Sequence, residues 1–385
     1  MSLSIQEFAK QNNEPQWLSV KRMVAAKLAP NFELDNQQRS FNFSKPDLNQ
    51  QKINSNNQAS DQHQKDGVIA MDLFAAANQF PELIQENLME KAIYWRDNQL
   101  NANHLAYLQS GGFVFIPDNK NVDKPIKISN LINHNNQEKH LLVIAAAGSK
   151  ANIVFEDKDT SRKNDRLMIE ILLGDHAKVN FYDAALSKAQ NAHRVLNAYL
   201  AQNAELNTYT GLFNHFNSRY DSNIDLDGIG SCATINLINL ADKQQKQLIK
   251  TKIVNQSEHT SGTINERGIV ADEARTICDT TGQIKQAAPN SYSDQTNRLL
   301  TLSKESKGKI DPILLIDNHD VVAGHAASVG RVNAEQLYYL KTRGIPAKEA
   351  RLLLTRGFLI PLINKFPDKK IRKQMMINLE ERING

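Results

Sequence analysis

Hydrophobic positions along the chain pass through three regimes. From residue 4 to 28 they recur at helical spacing, with Trp17, Val20, Val24 and Leu28 three and four apart, and Pro15 suits a first helical turn. That spacing predicts one amphipathic helix. Between Asp47 and Asp66 the text DLNQQKINSNNQASDQHQKD is too polar to bury much surface and reads as a linker. Helical pattern returns at Met71, Pro81 can open another helix, and DNQLNANHLAYLQSGG is expected to stop at Gly111 and Gly112. These segments make up an expected N-terminal helical domain, residues 1–110.

The second regime is strand-like. FVFIP, PIKIS and LLVIAAA are short apolar runs separated by turns, and no helical period follows for two hundred residues. Stacking LLVIAAAGSKANIVFED, MIEILLGDHAKVNFYD, VLNAYLAQNAELNTYT and SNIDLDGIGSCATINLIN by their turns gives a repeat of strand, tight turn, strand. A small residue restarts the second strand at Ala151, Ala177, Ala204 and Cys232, at intervals of 26, 27 and 28, and Ala274 takes that role after 42. Repeats of this length mean stacked supersecondary units, each burying its face on the previous coil. The expectation is a mainly β fold: a right-handed parallel β-helix over 111–330. A β-sandwich of hairpins is the alternative, but the Asn-Gly and Asp-Gly hairpin signals are mostly absent.

The third regime is helical again, residues 331–385. Asn333 can cap a helix with Gln336 three residues on, Gly344 and Pro346 separate it from the next, and Ala350, Leu353, Leu354 and Phe358 face one way. Pro361 should kink or end that segment. A last helix from Asp368 carries Ile371, Met375, Leu379 and Ile383 along one side.

Composition narrows the function classes. At 385 residues with 41% hydrophobic content the chain can build an extended core. Lys+Arg 46 against Asp+Glu 42 leaves +4, interspersed along the chain, so no nucleic-acid partner is expected. MSLSIQEFAK has no cationic start before an apolar core, and the apolar stretch Leu141 to Ala147 is too short to span a bilayer. A cytoplasmic chain with no membrane role is the expectation. Cys232 and Cys278 are the only cysteines, which argues against a disulfide framework and a self-sufficient thiolate metal site. Cys232, and less firmly Cys278, reads as a buried small hydrophobe.

Catalytic templates are missing. No GxxxxGK[ST] is present to cradle phosphates, and Gly228–Ile229–Gly230 alone is too little for a dinucleotide site. The chain itself should not hydrolyse ATP. HExxH and GxSxG are also absent. Asp221, Asp225 and Asp227 share one strand face, so a β-helix polysaccharide lyase or hydrolase is the alternative enzyme reading. Of the histidines, His63 lies in the linker, His134 and His140 flank an Asn-rich turn, and His176 and His193 fall at coil turns. There a histidine is more often surface than ligand.

One stretch stands apart: NHDVVAGHAASVGRVNAEQLYYLKTRGIPAKEARLLLTRGF, residues 318–358. It carries Asp320, Val321, His325, Ala327, Ser328 and Gly330, then Glu335, Gln336, Leu337, Tyr338 and Tyr339, then Arg343, Gly344 and Ile345. This pattern resembles the SufB/SufD family of iron-sulfur cluster assembly proteins. Weaker similarity covers most of the chain outside the linker. Gly324 and Ala326 stand where the SufB branch has glutamates, and Thr296 where it has a cysteine, so the SufD-like branch is favoured. Ala323 replaces a cysteine common in SufD-like members, which removes a thiolate near the motif.

The resemblance implies a non-enzymatic scaffold subunit of a SufBCD-like complex, pairing with a SufB-like subunit and binding a SufC-like ATPase through its C-terminal helices. It also implies an iron-sulfur cluster, transient and shared with the partner, with His325 as the candidate metal ligand on this chain. The implied partner interface comprises Asp320, His325, Gly330, Tyr339, Arg343, Gly344, Leu353 and Phe358. In isolation the same interface could make a homodimer, and a homodimeric structural protein is a further alternative.

Overall fold

The computed structural model describes residues 3–32, 48, 67–157, 163–185, 187–366 and 368–384. The polar linker read at 47–66 lies outside the described residues apart from Leu48, and His63 with it. The N-terminal part holds helices α1 (Ile5–Gln11) and α2 (Gln16–Leu28), strand β1 (Ile69–Asp72), and helices α3 (Leu73–Gln79), α4 (Pro81–Asn87) and α5 (Gln99–Ala106). The single helix expected over 4–28 is two. Asn13, at φ 50, breaks it, and Pro15 caps α2 rather than sitting inside it. Nor is its predicted face the buried one: Val20 and Val24 are 45% and 41% exposed, while Leu18, Arg22 and Ala25 are buried. Gly111 and Gly112 fall in a strand, and α5 ends at Tyr107 instead. Gly111 is small because a Cβ there would lie 2.6 Å from Leu73 Cδ2.

Two series of strands then alternate. On sheet A, β1 is followed by β2 (Ser110–Ile116), β4 (Glu138–Ala145), β6 (Asn164–Leu173), β8 (Asn191–Leu200), β10 (Asn217–Leu226), β12 (Lys246–Asn255), β14 (Arg275–Ile284) and β16 (Lys307–Ile316). On sheet B stand β3 (Ile126–Lys127), β5 (Lys150–Glu156), β7 (Lys178–Ala185), β9 (Glu205–Leu212), β11 (Cys232–Ala241), β13 (Ser261–Val270), β15 (Ser291–Thr301) and β17 (Val321–Arg331). Apart from the antiparallel β1–β2 pair, all neighbours are parallel. This is a parallel β-solenoid of about seven turns with helices at both ends.

The corners explain the repeat. Asn119, Gly148, His176, Asn203, Gly230, His259 and Asn290 all take left-handed backbone angles, at intervals of 29, 28, 27, 27, 29 and 31. Each donates its N–H to the turn of the next coil: Asn119 to Ala147 O at 2.7 Å, His176 to Gln202 O at 2.7 Å, and finally Asn290 to Asp320 O at 2.6 Å. Asn is tolerated there and Gly is free there. The register pairs Lys150 with Lys178, Lys178 with Glu205, and Glu205 with Cys232. The buried small residue before each of these is therefore Ser149, Ala177, Ala204 and Ser231, correcting Ala151 and Cys232. Cys232 is half-buried on the outer face of sheet B, not a core residue. Ala274 belongs to the opposite corner, between β13 and β14, one and a half coils on, which accounts for the interval of 42.

Inside the solenoid, Ile153, Phe155, Ile169, Ile171, Phe181 and Leu196 form an apolar core in the first coils. Towards the other end the interior turns polar, with Thr251, Glu266, Thr280, Gln295 and Asn297 all buried. The outer face of sheet A is covered by the N-terminal helices through Phe74, Trp95, Leu142, Met168 and Val195. The outer face of sheet B is covered by C-terminal helices. The C-terminal helices are α6 (Ala334–Thr342), capped by Asn333 and without a buried residue, then α7 (Ala347–Ile363) and α8 (Lys369–Asn384), which provide the cover. Leu359, Phe366, Met375 and Leu379 pack on Tyr182, Ile238 and Ile269. Pro361 does not end α7, which runs two residues further, and its buried face is Ala350, Leu352, Thr355 and Leu359, with Leu353 exposed.

Candidate functional site

The two ends of the solenoid differ. At the start, β1 pairs antiparallel with β2, and the N-terminal helices pack beside it. At the finish, β16 pairs only with β14 and β17 only with β15 among the described residues, so each keeps one backbone edge that no described strand pairs. These strands are 10 and 11 residues long and carry exposed apolar side chains: Ile313 at 41%, Leu315 at 44%, Val322 at 65% and Val329 at 47%. Long uncovered edges invite pairing with another chain, and proteins normally blunt them. Here the edge is left open.

His325 sits on β17 in register with Gln295, which in turn stands over Ile264. Residues in register share a face, so His325 belongs to the inward-facing row of the last coil and is exposed only because no further coil covers it. Beneath it the floor is polar and tied together. Thr280 Oγ1 donates to Gln295 Oε1 at 2.9 Å, Asn297 Nδ2 donates to Thr280 Oγ1 at 2.8 Å, and Gln295 Nε2 crosses to Ile313 O at 2.9 Å. One coil deeper, Thr251 Oγ1 donates to Glu266 Oε1 at 2.7 Å. Burial pushes Glu266 up to about 7. Burial and the neighbouring Glu266 also push the Cys278 thiol well above its usual range, so it stays protonated and is a poor metal ligand. Among the described residues no group of three His, Cys, Asp or Glu side chains could hold a metal. Any metal met by His325 would draw its other ligands from elsewhere.

The residues read from the motif divide between two surfaces. Asp320, His325 and Gly330 lie on the open end, where Asp320 closes the corner ladder through its carbonyl and Gly330 O accepts from Thr301 Oγ1 at 3.1 Å. Tyr339, Arg343, Gly344 and Leu353 lie on the exposed α6–α7 pair. The Arg343 guanidinium stacks 5.2 Å over Tyr339, and Gly344, at φ 84, turns the chain between the helices. Phe358 is half-buried against sheet B, its carbonyl accepting from Arg267 Nη1 at 3.0 Å.

The carboxylates of the glycan-cleaving reading are engaged in local pairs. Asp221 accepts from Arg219 Nε at 2.6 Å and meets His193 Nε2 at 2.6 Å; Asp225 accepts from Asn223 at 3.0 Å; Asp227 accepts from Tyr199 at 2.6 Å. His193 is buried in β8, not at a turn. Asp221 and Asp225 do line a cleft of about 620 Å³ between sheet A and residues 92–101, together with Tyr94, Asp97, Lys250 and Lys252.

Comparison with known proteins decides the kinship. Residues 128–358 match the family described as "SUF system FeS cluster assembly, SufBD core domain", and residues 35–128 match "SufBD protein N-terminal region". The chain belongs to the SufBD family. Its membership places it in iron-sulfur cluster assembly. It is 27% identical over 424 residues to "Iron-sulfur cluster assembly protein SufD" of Bacillus subtilis (strain 168), covering 98% of this chain and 97% of that protein. "Iron-sulfur cluster assembly SufBD family" proteins of Staphylococcus haemolyticus and Staphylococcus aureus are 26% identical over 309 residues, covering 78% of this chain and 66% of each. Within this SufBD chain no described helix is long and apolar enough to cross a membrane.

Proposed function

We propose that this chain is a scaffold subunit without catalytic activity of its own. It pairs through the open end of its solenoid with a SufB-like subunit and presents α6–α7 to a SufC-like ATPase in the cytoplasm. The observation that carries the pairing is the pair of unpaired, apolar-studded edges of β16 and β17. A partner strand laid on them would satisfy the free backbone groups, bury Val322 and Val329, and enclose His325 between two coils. The cluster is cargo in this reading, held transiently by His325 and by thiolates of the partner.

Tagged chain coexpressed with SufB-like and SufC-like partners should copurify with both. Val322→Lys with Val329→Lys should cut recovery of the SufB-like subunit at least tenfold. Both positions are exposed, so the isolated chain should lose no more than about 0.5 kcal/mol of stability. Unchanged recovery would remove the edge as the interface. Gel filtration of the isolated chain tests whether the same edges join two copies, which the double variant should then return to monomer. His325→Ala should leave the complex intact and lower cluster yield severalfold on anaerobic reconstitution; equal yields would remove His325 as a ligand.

A further inference from the structure

A row of buried ionisable groups joins the N-terminal helices to the outer face of sheet A. His104, in α5, places Nδ1 2.8 Å from Glu138 Oε2 and Nε2 3.2 Å from His140 Nδ1; His140 Nε2 lies 3.0 Å from Glu170 Oε2. Arg166 Nη1 donates to the other Glu138 oxygen at 2.9 Å. Glu170 also accepts the backbone N–H groups of Met89 at 2.7 Å and Ile93 at 3.0 Å, gripping the loop before α5. All four members of the row are fully buried or nearly so.

Proton counting constrains this row. Three hydrogen bonds link four groups, and each needs one proton, whereas two neutral imidazoles supply only two, so a third sits on a ring or on one of the carboxyls. Charge leads to the same count. Arg166 offsets Glu138, but Glu170 has no Lys or Arg within ion-pair distance among the described residues. Two neutral rings would leave buried Glu170 with only the more distant Lys21 charge to offset it, which is electrostatically costly. We propose that the His104–His140 pair holds one buried proton more than two neutral rings, as an imidazolium that clasps the N-terminal helical domain to the solenoid.

Burial pushes His104 down to about 4 against the pull of Glu138. Other charged groups packed around the row have partners of their own, although the Lys21 charge also acts on Glu170. Lys21 on α2 pairs with Glu90 at 2.7 Å, and one strand on from Arg166, His193, Arg219 and Asp221 bond to one another. Loss of the clasp proton would set two ring lone pairs against each other and expose the charge imbalance. Rising pH therefore loosens the grip on residues 88–106. That segment includes part of the wall of the 620 Å³ cleft.

Histidine-selective ¹⁵N NMR of the full chain at pH 7 tests this directly. One buried histidine should show both ring nitrogens protonated, a signal absent from His140→Gln and from Glu170→Gln. Hydrogen exchange should report amides of 88–95 opening at least tenfold faster in His140→Gln than in wild type at pH 6.5, with the gap closing by pH 9. Two rings each with one bare nitrogen at pH 7 would overturn the proposal, and the wild-type spectrum decides it even if the variants fail to fold. An exchange gap that does not change with pH would also overturn it, reducing the row to neutral packing.

Discussion

Arg194→Ala should destabilise the chain by about 3–5 kcal/mol, read as a fall in the urea midpoint. Arg194 lies inside the solenoid, where Nη2 meets Asp157 Oδ2 at 2.7 Å and Nη1 bonds to Asp183. Burial opposes ionisation of Asp157, yet Lys139, His134 and Arg194 together outweigh it and hold its carboxyl below the usual range. Lys139 also reaches Asp165 at 2.5 Å. The participants come from β4 and the loop before it, β6, β7, β8 and the turn after β5, so the network ties successive coils together. Removing the guanidinium leaves buried Asp183 without its ion-pair partner and Asp157 with only Lys139 and His134, and that desolvation sets the size of the loss. Arg298→Ala, on the exposed outer face, should change stability by no more than about 0.5 kcal/mol. Equal midpoints for the two variants would refute the buried role.

Glu266→Gln has the second large effect, with the opposite sign. Burial raises the Glu266 carboxyl from 4.5 to about 7. A group that holds its proton more tightly when folded adds stability below its unfolded value, and that stability is lost as pH rises through about 7. At 1.36 kcal/mol per unit the wild-type chain should forfeit roughly 3 kcal/mol across that window. Glutamine keeps the acceptor for Thr251 and cannot ionise. The variant should therefore be the more stable chain at pH 8, by up to roughly 3 kcal/mol, and close to wild type at about pH 4. Asp183, raised to about 6 chiefly by burial, has the same sign but is exhausted by pH 7. Asp183 is common to both chains, so the difference between their urea midpoints from pH 4 to 8 isolates Glu266. A variant that tracks wild type throughout that range would show that the carboxyl ionises at no cost.

The candidate site was legible in part. The motif at 318–358 singles out His325 and Asp320 without any coordinates, because several fixed residue types recur at fixed spacing there. The spacing is silent on which of these share a surface. Asp320 acts through its carbonyl, closing a ladder of corner hydrogen bonds, and Phe358 turns inward under Arg267. His104, His140 and Glu170 were missed altogether. His140 reads as flanking an Asn-rich turn, and its partners lie 36 and 30 residues away.

Local pattern by itself determined the order of helices, strands and helices, the helix cap at Asn333, and a coil length near 27, since turns and periodicity depend on neighbours in the chain. It also carried the family motif. Tertiary structure decided which face of each strand points inward and which corner each small residue occupies. Coils vary from 27 to 31 residues, so a shift of one position reverses every side chain. Only the stacked coils show that Arg194 and Glu266 are interior, because their charge or proton is balanced by groups from other strands. And only the end of the stack reveals an open edge: an edge is defined by the strand that is not beside it, and strand neighbours are set by the stacking of coils.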